Sequence, residues 1–364
     1  MASQVTGPSL AVWLQVARRS LVPPLCSARA LERLLALGVH LPGDCQGALE
    51  FHLGAGAGVV DLSVRIETPE QARQVAELPL PASLQSFLKQ WSERSGRFAG
   101  IPCVWLEFDL DSDPQGFPTP SVCARLPRHA GLEWIAETLL PALRGERLDR
   151  SQGERLRRCH AGIPGEASLL YVFSLLSRPG RPVRMELFGL DPNGATAYLR
   201  RIAPHAALAL AAIAPLFAEV DRPHLSFDLD DAGVVLPRAG LEGSFARQRD
   251  PRWATLFARL SARGLCTPAE RDAILAWPGY DSFWTAAAEW PLEPAGPRGF
   301  CVRALSHVKV VAQPERAPEA KVYLLVSALA TRDGTEAARD QGAAGATGPG
   351  GVASSTAKRS AFST

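Results

Sequence analysis

The sequence predicts an α+β fold in which ten antiparallel strands close into a barrel, contributed by five helix-plus-hairpin repeats whose helices surround it. Three observations lead there. First, a two-stranded pattern with Gly, Pro or Asp at its turn recurs over residues 48–67, 103–126, 167–188, 223–246 and 301–327. A supersecondary unit repeated every ~55–80 residues marks a closed or stacked architecture. Second, the strands alternate. Leu49, Phe51 and Leu53 oppose Glu50 and His52; Val104, Leu106, Phe108 and Leu110 oppose Trp105, Glu107, Asp109 and Asp111. Leu225, Phe227 and Leu229 oppose His224, Ser226, Asp228 and Asp230, and Val322, Leu324 and Val326 oppose Lys321, Tyr323 and Leu325. Side chains along a strand alternate faces, so each strand has one apolar and one polar side. Third, the stretches between hairpins have helical spacing and can cover the apolar sides. Closure of the sheet removes its edges and turns the polar face into a lumen. A barrel of parallel strands fits poorly, because such strands read as continuous apolar runs, one per helix.

In chain order, residues 9–38 read as mostly helical, broken at Pro23–Pro24. The first hairpin turns on the Gly-rich run at 54–58, which is no phosphate loop because no Gly-Lys-Ser/Thr follows it. Thr68–Pro69 opens a helical stretch over 69–95. Asp111 and Asp113 suit the second hairpin's turn. Residues 130–160 read as two helices split near Pro141–Gly145, and residues 194–219 as a helical region broken at Pro204. Asp230 and Asp231 suit the fourth turn. Residues 250–290 are expected to hold two helices, the second with Thr267 as N-cap and Pro268 at its first position. Trp134, Trp253, Trp277, Trp284 and Trp290 lie in helical stretches and are expected in the core. Residues 292–299 form a turn-rich connection. From about 331 the composition falls to Gly, Ala, Ser and Thr, which predicts one domain over 1–330 and a disordered tail over 331–364.

Composition narrows the function. The 364 residues have a net charge of +2, which argues against nucleic acid or a membrane surface as partner. No run of 18 apolar residues and no secretory leader pattern occurs. The seven cysteines are scattered and form no C-x-x-C, which reads as reduced thiols in a cytoplasmic protein, without a disulfide framework or zinc site. No serine has the G-x-S-x-G setting of a nucleophile elbow. Lysine is rare, at Lys89, Lys309, Lys321 and Lys358 only, and two of the four lie in the last hairpin.

Five helix-plus-hairpin units around a polar-lined antiparallel barrel resemble the ABBA prenyltransferases, the PT barrel, over residues 9–330. Locally, Ala48-Leu49-Glu50-Phe51 resembles the first-strand segment in which indole prenyltransferases place a catalytic glutamate. Lys321-Val322-Tyr323 resembles the Lys-x-Tyr strand motif those enzymes use on the diphosphate. The resemblance implies transfer of a prenyl group from an allylic diphosphate to an aromatic small molecule or a peptide, of the indole or cyanobactin type, in secondary metabolism or peptide modification. It implies no required cofactor. Some soluble members of the wider fold use Mg²⁺, which Asp or Glu oxygens at the strand ends could hold here.

That chemistry assigns roles on the lumen face. A diphosphate leaving group needs cations and hydroxyls, and Arg65, Arg125, Arg184, Lys309, Lys321 and Tyr323 are the candidates. A carboxylate must take the acceptor's proton; Glu50 is the first candidate and Glu107 the second, with a salt bridge across the lumen as the other reading of each. Trp105 is placed to stack on an acceptor or a prenyl chain, and His307 and His52 point inward by parity. Departures remain. The chain has four tyrosines where indole prenyltransferases line the barrel with several, and Glu50, Asp61, Glu107, Asp109, Glu186, Asp228 and Glu242 nearly cancel the lumen cations. Two alternatives therefore stay open: a non-prenylating barrel that binds or modifies a cationic peptide or metabolite, and a different transferase using Glu107 and Asp109 as an acid–base pair.

Overall fold

The structure is a computed structural model that describes residues 9–21, 23–54, 58–110, 116–128, 130–282 and 299–330. Its strands are β1 Gln46–His52, β2 Val60–Ile66, β3 Val104–Phe108, β4 Ser121–Arg125, β5 Ser168–Ser174, β6 Val183–Phe188, β7 Arg222–Leu229, β8 Val235–Ser244, β9 Gly279–Ser282, β10 Gly299–Ala312 and β11 Glu319–Ala330. Each pairs antiparallel with its chain neighbour from β1 to β8. Then β8 pairs with β10, β10 with β11, and β11 with β1, which closes ten strands into the predicted barrel.

Strand parity holds around the ring. Leu49, Phe51, Leu62, Val64, Leu106, Phe108, Leu225, Phe227, Val322 and Leu324 face outward and are buried in one continuous core under the helices. The helices are α1 Leu10–Ala17, α2 Ala28–Gly38, α3 Pro69–Ala76, α4 Ala82–Ser92, α5 Leu132–Trp134, α6 Leu140–Arg144, α7 Arg150–Ala161, α8 Pro192–Ile202, α9 Pro204–Ile213, α10 Arg252–Ala262 and α11 Pro268–Ala276. Both proposed Thr-Pro starts are capping boxes: Thr68 with Gln71 opens α3, and Thr267 with Glu270 opens α11. Trp253 and Trp277 are buried, whereas Trp134 is half-buried and donates to the Arg97 carbonyl at 3.0 Å. Among the described residues no helix is long and apolar enough to cross a membrane.

Two local expectations are corrected. The stretch 69–95 is two helices, because Pro81 starts α4 afresh. The split expected near Pro141–Gly145 falls at Gly145, as read from the sequence, where a φ of +79° ends α6. Pro141 itself is accommodated by a π-helical turn at Ile135–Leu139, which relieves the clash of its ring with the preceding turn. Residues 279–282, read as helical, form β9 against the first part of β10, since Pro278–Gly279 cannot continue α11. Asp230 and Asp231 do lie in the β7–β8 turn, where the Asp230 carboxylate accepts from Val234 N–H at 2.6 Å. Asp111, Asp113, Trp284, Trp290, the connection at 292–298 and the tail lie outside the described residues.

Candidate active site

The polar strand faces line the lumen as alternation requires. Register decides which of them meet. On β6 and β7, Arg184 and Asp228 are direct cross-strand partners and form a bidentate pair at 2.7 and 3.1 Å. On β10 and β11, Lys309 and Lys321 are also direct partners, two buried ammonium groups side by side. Each is held by its own glutamate: Lys321 by Glu50 of β1, and Lys309 by Glu242 of β8 at 2.5 Å. Gly240 of β8 makes room for this arrangement, since a Cβ there would stand 3.0 Å from Lys309 Cε and 2.7 Å from Ser226 Oγ.

The histidines complete the pairing. His52 lies 3.2 Å from Asp61 and 3.6 Å from Glu50. His224 Nδ1 lies 2.6 Å from Glu186, and His307 Nε2 lies 3.3 Å from Glu242. The His307 ring stacks on Tyr323 with centroids 4.0 Å apart. Asp109 accepts from Ser177 at 2.6 Å. Among the described residues, Glu107 is the one lumen carboxylate with neither a hydrogen bond nor an ion pair.

Electrostatics follow from this layout. Burial would raise the Glu50 and Glu242 carboxyls, but the lysines beside them hold both well below the usual carboxylate range. Burial also disfavours charge on Asp228, and Arg184 overcomes it and lowers that carboxyl. Burial raises Tyr323 well above the ordinary phenol value, helped by Glu50, Glu242 and Glu107. Burial would lower His52, yet Asp61 and Glu50 raise it to about 9. Burial and the Glu50 charge raise the Glu107 carboxyl to about 7, and Arg184, Lys309 and Arg178 offset them only in part.

The free space divides into two ends. One is a cavity of about 130 Å³ walled by Trp105, Tyr171 and Phe173, with Glu186, His224 and Glu242 across from them. The other, toward the hairpin turns, holds about 20 Å³, the room of about one water. It is bordered by the cations Lys309, Lys321, Arg184, Arg178 and Arg238, which give this basic end its name, and by the carboxylates Glu50, Asp61, Glu107 and Asp109. Glu107, Lys309 and Tyr323 border both.

Of the sequence candidates, the structure brings Glu50, Glu107, Arg184, Lys309, Lys321 and Tyr323 together at or beside the basic end. Trp105 and His307 belong to the aromatic cavity. Arg65 does not join Lys321. It is registered with Gln46, and Lys321 with His52, six residues along β1, which separates them by about 20 Å. One diphosphate cannot touch both. Arg65 pairs instead with Glu67 at 2.8 Å and lies 5.8 Å from the Trp105 ring centre. Arg125, registered with Tyr171, borders neither space. Arg178 and Arg238, not singled out from sequence, complete the basic end. Arg178 sits in the β5–β6 turn, where a local pattern does not reveal that it leans over the lumen.

No protein-family model matches this chain, and no curated protein does. Among solved structures it is similar to the apo form of the prenyltransferase PriB. The TM-score is 0.51 and the identity 14%, over 89% of this chain and 97% of that one. At that identity the likeness is one of fold, and it agrees with the closed ring of ten antiparallel strands built above. The chain has the PT-barrel fold of the ABBA prenyltransferases.

Proposed function

We propose that the protein transfers a prenyl group from an allylic diphosphate to an acceptor held in the lumen. The observation that supports this most is the position of Glu107: an unpartnered carboxylate near pKa 7, between a basic end and an aromatic cavity. Lys309, Lys321, Arg184 and Arg178 bind the diphosphate, which displaces Glu50 and Glu242 from their lysines and so widens that end beyond the room of one water. The allylic C–O bond breaks and its electron pair leaves with the diphosphate. The faces of Trp105, Tyr171, Phe173 and Tyr323 stabilise the carbocation and exclude water. The acceptor's electron pair forms the new bond, and its proton passes to Glu107, whose affinity for a proton suits neutral pH. The fold likeness to a prenyltransferase supports the same reading.

Calorimetric titration with dimethylallyl and geranyl diphosphates, with and without Mg²⁺, tests it. The expected result is micromolar binding, weakened by about 1 kcal/mol or more in Lys321→Ala, the value of a charge-assisted contact. Absence of binding to both compounds would refute the reading for short donors. The unpartnered Glu107 also favours a second reading, a barrel that receives a cationic metabolite or peptide without prenyl chemistry. Binding of guanidinium compounds without any diphosphate affinity would select it.

A further inference from the structure

Three neighbouring strands aim metal-binding donors at one spot in the aromatic cavity: Glu186 from β6, His224 from β7 and Glu242 from β8. His224 is registered directly with Glu242, and Glu186 with Ser226, two residues along β7. One donor atom from each of the three lies within 4.8 Å of the other two. Both carboxylates are buried, and backbone pairing on a closed ring fixes where all three stand. Outer contacts fix how they turn. The His224 ring meets Phe188 edge-on, with centroids 5.1 Å apart. His307 Nε2 stands 3.3 Å from one Glu242 oxygen, and Lys309 Nζ 2.5 Å from the other. His307 is itself set by Ser306 Oγ, 3.0 Å from its Nδ1, and by its stack on Tyr323. Partners of this kind orient the ligands of a metal ion and belong to its site.

The charges around the spot decide which cation it can take. Lys309, Arg65 and Arg222 all line the same cavity. Arg65 pairs with Glu67 at 2.8 Å, and Arg222 stands two residues along β7 from His224, opposite Ser244. Three fixed positive charges near two carboxylates leave little attraction for an organic or a fully hydrated cation. An ion gains there only by direct bonds, and one of the donors is an imidazole nitrogen. Imidazole with carboxylates suits Zn²⁺ and its transition-metal neighbours, whereas Mg²⁺ and Ca²⁺ take oxygen. The proton between His224 Nδ1 and Glu186, 2.6 Å apart, is the one such an ion displaces, since ligands bind deprotonated. We propose that Glu186, His224 and Glu242 hold a divalent transition-metal ion, with a coordination position left open toward Trp105, Tyr171 and Phe173. The site goes beyond the prenyl-transfer reading and does not depend on it.

Among the described residues Glu50, His52 and Asp61 make a second such cluster, at the basic end, and Cys123 is a further donor on the aromatic cavity. The test separates these. The full chain, stripped with a chelator, is titrated calorimetrically with Zn²⁺ at neutral pH, and one ion per chain at micromolar affinity or tighter is expected. His307→Phe, which keeps the stack on Tyr323, should weaken it by about 10–100-fold, the usual effect of losing an outer partner. His224→Gln, which can still bond Glu186, should weaken it beyond that range. His52→Gln should leave it unchanged. Co²⁺ in place of Zn²⁺ should give the visible d–d bands of a nitrogen and oxygen site, without the near-ultraviolet band of a thiolate. Absence of Zn²⁺ binding overturns the proposal. So does binding lost in His52→Gln and kept in His224→Gln, and so does a thiolate band. Each of these results leaves the prenyl-transfer reading standing, since the diphosphate titration tests that reading by itself.

Discussion

Among the described residues, Glu107 lies in a lumen whose other carboxylates each have a partner, and its own lack of one has two measurable consequences. In the proposed role of proton acceptor, it must be ionised. Activity should rise as pH passes upward through about 7, and Glu107→Gln should lower kcat by about 10²–10⁴. Its folded-state pKa lies above the unfolded value, so the folded state binds more protons between about 4.5 and 7, and stability falls as pH rises across that window. Glu107→Gln should therefore raise Tm at pH 8 and leave it nearly unchanged at pH 4, a gain on the order of 2 kcal/mol. An unchanged Tm at both pH values would mean that the carboxyl is solvated. His52 presents the opposite case, a charged form favoured by folding. Its contribution is fully present below about pH 6.5 and is lost as pH rises through about 9. His52→Gln should cost on the order of 1–2 kcal/mol at pH 6 and almost nothing at pH 10, read by denaturant unfolding at each pH.

At the scale of elements, α11 shows how a local signal acquires a tertiary role. Thr267 accepts from Glu270 N–H at 3.2 Å and Glu270 accepts from Thr267 N–H at 2.6 Å, the reciprocal cap its sequence announces. The same Glu270 carboxylate also accepts from Gly54 N–H at 3.1 Å, which ties the β1–β2 turn to the helix start. Thr267→Ala should cost about 1 kcal/mol, the usual value of an N-cap. Glu270→Ala should cost more, about 2 kcal/mol, because it leaves two backbone N–H groups without an acceptor at a nearly inaccessible site. Equal losses would show that the tie to Gly54 adds nothing. The capping box was legible in the sequence; the tie was not, because Gly54 lies far from Glu270 along the chain.

For the whole molecule, the seam between β10, β11 and β1 decides whether the sheet is a barrel. Leu324 sits in it, registered with Leu49 on one side and Leu305 on the other, and is fully buried. Leu324→Ala should cost about 2–5 kcal/mol and lower a single cooperative unfolding transition. A second transition would mean that the last hairpin melts apart from the ring. The sequence by itself determined the repeat, the strand faces and the polar lumen, because strand alternation and helix capping are set within a few residues. It placed Glu50, Glu107, Lys309, Lys321 and Tyr323 on the inner face for that reason. Only the tertiary structure decided which of them meet. Lys321 reaches Glu50 and Lys309 reaches Glu242 through strand register and ring closure, and the same register carries Arg65 to the far end. Whether a buried charge is answered or left alone depends on groups within a few ångströms in space, and no local pattern fixes that distance.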